Sequence, residues 1–290
     1  MKVCQSVNDL KNNLKELNFK PVGFVPTMGA LHRGHISLIE YSMKECPVSV
    51  VSIFVNPTQF NDRLDFERYP RMPEKDINLL STVLREHDMA FLPTEKEIYP
   101  ENVQMLAWDF GNLDKVLEGF YRPGHFRGVA QVVNRLFEIV NPDIAYFGQK
   151  DFQQLVIIKE LVRQTGRKIK IVGCPVIREP DGLAMSSRNL LLKPSLRQKA
   201  GIIFHTLKKA SEMINSSEIS EIKKFVKSTI ESEEGFKLEY FEIVDDDELR
   251  PLENIKSVTP GKKYYGCIAV WAGNIRLIDN IEFNCSVSKG

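Results

Sequence analysis

Two histidines three residues apart, His32 and His35, sit in the string Pro26-Thr27-Met28-Gly29-Ala30-Leu31-His32-Arg33-Gly34-His35, ahead of an amphipathic run. At a helix start, residues at that spacing share a face, so both rings can point at one ligand and donate hydrogen bonds as negative charge builds. Glycines let the backbone approach phosphate, and a helix amino terminus adds free N–H groups and positive dipole. The chemistry on offer is stabilisation of phosphate during its transfer. Spacing alone leaves two capping or surface histidines open as a reading. A metal site is the weaker option, because two histidines without a nearby carboxylate do not complete one.

A second string, Phe147-Gly148-Gln149-Lys150-Asp151-Phe152-Gln153-Gln154, puts Lys150 at a helix start, where a lysine opposes the dipole and gains from an anionic partner. The plainer reading is a solvated lysine. A third, from Arg178 to Asn189, holds Met185, Ser186, Ser187 and Arg188, whose hydroxyls and guanidinium match phosphate oxygens. A turn with a serine cap fits it equally. Asn56-Pro57-Thr58-Gln59-Phe60 and Tyr121-Arg122-Pro123-Gly124-His125-Phe126 are unspecific alone: Gln59 can orient a polar substrate without adding charge, and Arg122 and His125 suit a site or an ordinary turn.

These strings share a position, because each is expected to follow an apolar, strand-like run. Val22 to Val25 ends at Pro26, and VSVVSIFV ends at Asn56-Pro57 with a helix-like run between them, which makes a βαβ unit. The pattern repeats: EKDINLLSTVLREH precedes MAFLP, RGVAQVVNRLFEIV precedes DIAYF, and KDFQQLVIIKELVRQ precedes IKIVGCPVI. Alternation of this kind predicts an α/β fold with a doubly wound, mainly parallel sheet whose ligands lie at the carboxyl ends of the strands. Past residue 190 the pattern changes to two charged helices, about 195–214 and 219–232, followed by LEYFEIVD, YYGCIAVWAG and IRLIDNIEF. A catalytic domain over 1–189 and a smaller α+β domain over 190–290 are expected, with Lys193-Pro194 as the boundary region.

Composition narrows the function. Lys plus Arg number 39 against 38 Asp plus Glu, so no global field favours nucleic acid or an acidic membrane, and anions must be held locally. Five cysteines without CxxC spacing read as reduced thiols, hence a cytoplasmic protein. No signal peptide or membrane span is expected, since no uncharged apolar run nears the ~20 residues that cross a bilayer.

PTMGALHRGH, SIFVNPTQF, RPGHFRGV, FGQKDFQQL and REPDGLAMSSRN together, in this order, resemble the pantothenate synthetase family, and YFEIVD and IRLIDN extend the likeness over nearly the whole chain. HxGH alone marks only a wider class of nucleotidyl-transferring folds. The resemblance implies a Rossmann-like first domain, a smaller carboxy-terminal domain that closes over the site, a homodimer, and ATP with Mg2+ held through the phosphates and no protein ligand. It further implies that Met28, Gly29, Ala30, Leu31, His32, Arg33, Gly34 and His35 line ATP, with His35 as proton donor assisted by His32. Gly148, Gln149, Lys150 and Asp151 would hold the nucleotide, Ile177 would touch adenine, and Met185, Ser186, Ser187 and Arg188 would close over the triphosphate. Gln59 and Gln154 would bind pantoate, and Gln59 also β-alanine. Two departures stand out: Lys75 interrupts the acidic cluster usual around Glu74 and Asp76, and LLL follows SSRN where an aromatic is frequent. An adenylyltransferase that stops at a nucleotide product would use the same loops but has no need of Gln59 and Gln154. A non-catalytic nucleotide- or RNA-binding module is disfavoured by the near-neutral charge.

Overall fold

The computed structural model describes residues 1–101 and 106–285. Six strands, β1 (Lys2–Cys4), β2 (Val22–Thr27), β3 (Val48–Ile53), β4 (Met89–Phe91), β5 (Ile144–Gly148) and β6 (Lys170–Cys174), form one sheet in the order β1-β4-β3-β2-β5-β6. Every pairing in it is parallel. Helices α1 (Val7–Leu17), α2 (Arg33–Glu45), α3 (Arg63–Arg68), α4 (Pro73–Ser81), α5 (Glu95–Ile98), α6 (Leu117–Tyr121), α7 (His125–Val140) and α8 (Phe152–Thr165) accompany it. Strand alternation divides the core. Phe24, Val48 and Val50 face Leu10 of α1, Phe137 of α7 and Ile157 of α8, whereas Val25 and Val51 face Ile36 and Ile39 of α2 and Leu80 of α4. The continuous apolarity of β2 and β3 therefore reflects burial on both faces.

Chain order reverses between β2 and β5, and ligands of open α/β sheets sit at such a reversal. Here the two strands pair only through Gly23 and Phe24 with Ile144 and Ala145, then splay while β2 runs on to Thr27 and β5 to Gly148. Pro26 lies in the splayed part, where its missing N–H costs no ladder bond to β5. The crevice is thus written into the pairing itself.

The carboxy-terminal part holds α9 (Pro194–Lys199), α10 (Ile202–Met213) and α11 (Ile219–Glu231) against strands β7 (Phe236–Asp245), β8 (Tyr264–Ala272) and β9 (Ile275–Phe283), an antiparallel sheet in the order β7-β8-β9. Its core packs Ile203 and Leu207 of α10 and Ile222 and Val226 of α11 on Ile243, Ile268 and Leu277.

Three local expectations need correction. The helix expected over 195–214 divides at Ala200-Gly201, where a Cβ on residue 201 would lie 2.4 Å from the carbonyl oxygen of Asp181. The helix expected to reach His87 stops at Ser81, because buried Asp88 draws the chain into a turn by accepting from the backbone N–H groups of Ser49 and Arg85, 2.8 Å each. Strand β2 continues two residues beyond Val25. Elements β1, α1 and the short helices α3, α5 and α6 had no expectation. No helix among the described residues is long and apolar enough to cross a membrane, and the five cysteines are unpaired.

Candidate active site

The splayed strands open a cleft of ≈ 1180 Å³, counting its open mouth, which takes residues from four of the five strings. The fifth supplies Arg122 and His125 to an adjoining pocket of ≈ 430 Å³ that shares Lys150, Asp151 and Gln154 with the cleft.

His32 is the amino-terminal cap of α2, and its Nδ1 accepts from the Gly34 N–H at 3.1 Å. His35 returns the arrangement, its Nδ1 accepting from the His32 N–H at 3.3 Å, with ring centroids 4.1 Å apart. Capping and site-lining are therefore the same fact here. With both Nδ1 atoms spent as acceptors, the proton of each neutral ring lies on Nε2. Both rings are neutral at pH 7: burial, and after it the charge of Lys150, lowers His32 to about 4, and burial, with smaller contributions from competition with His32 and from the charge of Lys150, takes His35 well below the usual histidine range. The helix start was expected to offer free backbone N–H groups. Those of His32 and Gly34 are instead held by the ring nitrogens, so the imidazole N–H groups are the donors this end provides.

The loop before the helix is set by Asp76, a residue sequence reasoning left without a role. Its buried carboxylate accepts from the N–H groups of Ala30 at 2.9 Å and Leu31 at 2.7 Å, and holds Gly29 and Ala30 at φ 79° and 49°. A Cβ on residue 29 would meet the same carboxylate at 2.9 Å. Gly29, Ala30 and Leu31 consequently shape the loop without lining the cleft. Arg33 also lies outside the lining, its guanidinium paired with Glu40 at 2.6 Å.

Gln59 is buried in the short helical turn Pro57–Gln59 that follows β3, its Oε1 accepting from Asn56 Nδ2 at 3.2 Å and its Nε2 set against Met28 Sδ at 2.9 Å. His125 fixes the same turn, donating from Nδ1 to the Gln59 carbonyl at 2.7 Å and accepting from Arg122 on Nε2 at 3.2 Å. Burial depresses His125 to about 3. Gly128 of α7 admits this turn, since a Cβ there would lie 2.3 Å from the Thr58 carbonyl oxygen. The other wall is apolar, formed by Val129, Val132, Val133 and Leu136 of α7 with Phe54.

From the end of β5 onward, Gly148, Lys150, Asp151 and Gln154 line the cleft, whereas Gln149 lies outside the lining. Lys150 Nζ lies 3.3 Å from Asp151. Across from them, Ile177, Met185, Ser186, Ser187 and Arg188 complete the lining. Ser187 Oγ donates to the Ala30 carbonyl at 3.1 Å and so joins the third string to the first. Ser186 caps its own turn by accepting from the Arg188 N–H at 3.2 Å, which meets the plainer expectation for that residue. Arg188 reaches Asp65 at 3.0 Å and rests over the ring of Tyr69, a cleft residue that no sequence pattern marked.

A model of the pantoate-beta-alanine ligase family matches residues 2–282. The pantothenate synthetases of Azobacteroides pseudotrichonymphae and Bacteroides thetaiotaomicron are each 48% identical to this chain, covering 98% of it and 100% and 99% of themselves. The solved pantothenate synthetase of Thermus thermophilus superposes with a TM-score of 0.90 at 39% identity over 98% of this chain and 99% of that one. The pantoate-beta-alanine ligase of Francisella tularensis, solved in complex with beta-gamma ATP and beta-alanine, gives a TM-score of 0.80 at 36% identity over 99% and 100%. With the parallel sheet and every loop of the cleft inside the matched span, the chain belongs to the pantoate-beta-alanine ligase family.

Proposed function

We propose that the cleft carries out the family's reaction by aligning its substrates and stabilising negative charge, with no covalent intermediate on the protein. The chain is a ligase that joins pantoate to β-alanine with consumption of ATP. A pantoate carboxylate oxygen attacks the α-phosphorus and pyrophosphate leaves. The amine of β-alanine then attacks the carbonyl of the mixed anhydride, AMP departs, and pantothenate remains. Positioning and charge stabilisation supply most of what such transfers need.

The observation that carries this reading is the opposition of donors across the splay: the Nε2–H groups of His32 and His35 beyond β2, and the Lys150 ammonium beyond β5. Arg188 adds a guanidinium from the third string. His35 acts as a hydrogen-bond donor to phosphate and passes on a proton only after the nucleotide's charge has raised its affinity for one. Gln59 retains one amide N–H and a lone pair for the hydroxyls of pantoate, Gln154 faces it, and the valine wall of α7 suits the two methyl groups. β-Alanine would meet Gln59 from the same side. ATP would rest against Met28, Gly34, Gly148, Ile177, Met185 and Ser186.

Magnesium fits as the nucleotide's partner and not as a resident ion. Asp151 is the only carboxylate among the described residues that line the cleft, so phosphate oxygens and water would form most of its shell. When bound, it neutralises phosphate charge. The same reading takes residues 1–189 as the catalytic unit of a cytoplasmic homodimer, supported by the unpaired thiols and the family resemblance.

The test is exchange of labelled pyrophosphate into ATP. Exchange should require pantoate and proceed without β-alanine. Exchange in the absence of pantoate, or an absolute need for the amine, would overturn the two-step order.

A further inference from the structure

Asp279 and Asn280 are buried polar residues in β9, inside an otherwise mainly apolar run, and both reach out of their own sheet. Asn280 Nδ2 lies 2.9 Å from the carbonyl oxygen of Gln149 and 2.9 Å from that of Lys150. An amide nitrogen carries two hydrogens, so one goes to each carbonyl and both donors are spent. Asp279 accepts from Arg178 at 2.6 and 3.0 Å, at the root of the string that ends in Ser186, Ser187 and Arg188. Consecutive residues of one strand thus hold the two phosphate-facing loops.

We infer that Asn280 is a positioning residue for adenylate formation, which fixes the Gln149–Lys150 backbone so that the Lys150 ammonium stays aimed into the cleft. The inference rests on the reading of Lys150 as a phosphate-binding group. Among the described residues the side-chain amide makes no hydrogen bond besides those to these two carbonyls, and Asn280 also borders the adjoining pocket. Without the amide these carbonyls lose their partners in a buried setting, and the loop gains by turning them toward water. That rotation carries Lys150 with it. A displacement of about 1 Å at such a group costs up to roughly 100-fold in rate.

The experiment follows single-turnover formation of pantoyl adenylate from ATP and pantoate, reading the rate constant, which is insensitive to an inactive fraction. Asn280→Ala should slow it about 10- to 100-fold while ATP binding measured directly changes less than about 3-fold. Asn280→Gln, which keeps the amide, should recover part of the loss. In a Lys150→Ala background the same Asn280→Ala change should cost less than about 3-fold, because residues acting through one group are not additive. A parental rate constant in Asn280→Ala, or an equal loss in both backgrounds, overturns the inference. Lys150→Ala alone at the parental rate overturns the reading of Lys150 instead, and so separates the two failures. Should Asn280→Ala not fold, Asn280→Ser is read in the same cycle with the same outcomes.

Discussion

In the parallel sheet the donors that line the cleft sit beyond the strand ends, on loops or the first turn of a helix, whereas in the antiparallel sheet the polar residues tied to the cleft's loops and to Glu118 sit within a strand and outside the cleft lining. His32, His35 and Lys150 belong to the first kind, and Arg276, Asp279 and Asn280 to the second. The first kind presents donors to a ligand. The second spends its donors on the protein: Arg276 makes two bonds to Glu118, at 2.6 and 2.7 Å, while Tyr240 adds another at 2.7 Å and Glu239 holds Arg276 from the far side. Burial alone would raise the Glu118 carboxyl, but the bonds and charge of Arg276 outweigh it and hold it below the usual carboxylate range. The contrast teaches that reactivity and its support are divided between the sheets.

The sharpest way to break the comparison is Arg276→Met. It leaves buried Glu118 and half-buried Glu239 without this cation, with only Arg122, 4.0 Å away, still near Glu118, and breaking such a pair costs about 3–5 kcal/mol of stability. Denaturant unfolding should show that loss. A change below about 1 kcal/mol, the range of exposed pairs, would mean the strand's side chains are not structural ties.

The converse holds for the loop donors. Lys150→Ala and His35→Ala should each slow single-turnover adenylate formation roughly 100- to 1000-fold, about 3–4 kcal/mol, while thermal melting stays close to the parent in Lys150→Ala and falls by no more than a lost cap, about 1 kcal/mol, in His35→Ala. Parental rates with normal melting would remove that residue from the site map.

A graded effect concerns pH. His32 at about 4 and His125 at about 3 are depressed below an unfolded histidine near 6.5. Between those values the unfolded chain binds protons that the folded one refuses. Their contribution is therefore complete above about pH 6.5 and is lost as pH falls toward about 4 for His32 and about 3 for His125, each with a slope of up to about 1.4 kcal/mol per pH unit. Urea midpoints should drop over that window, and His125→Gln should flatten the slope. Equal midpoints at pH 7 and pH 5 would contradict neutral burial.

What was legible in the sequence follows the same division. Loop chemistry is local, so the HxGH string, Lys150 and the serine-arginine string stood out, and the alternation of strands with helices located them at strand ends. Support is non-local. Asp76 could be seen only as part of an interrupted acidic cluster, because its partners Ala30 and Leu31 lie 46 and 45 residues away. Asn280 left one faint signal, a polar pair inside the apolar strand IRLIDNIEF, with nothing to name its targets. Strand β1 has three residues, too few for an alternating pattern to show.

The tie between Asn280 and the Lys150 loop also sets a clock. The two residues are separated by 130 positions, and at about 5–20 residues per second that is roughly 7 to 26 s of synthesis. Strand β6 and the serine-arginine string are completed within that interval, and β9 follows only at its end. A nascent chain can therefore shape a nucleotide cleft well before it can hold the lysine in it, and adenylation competence arrives with β9.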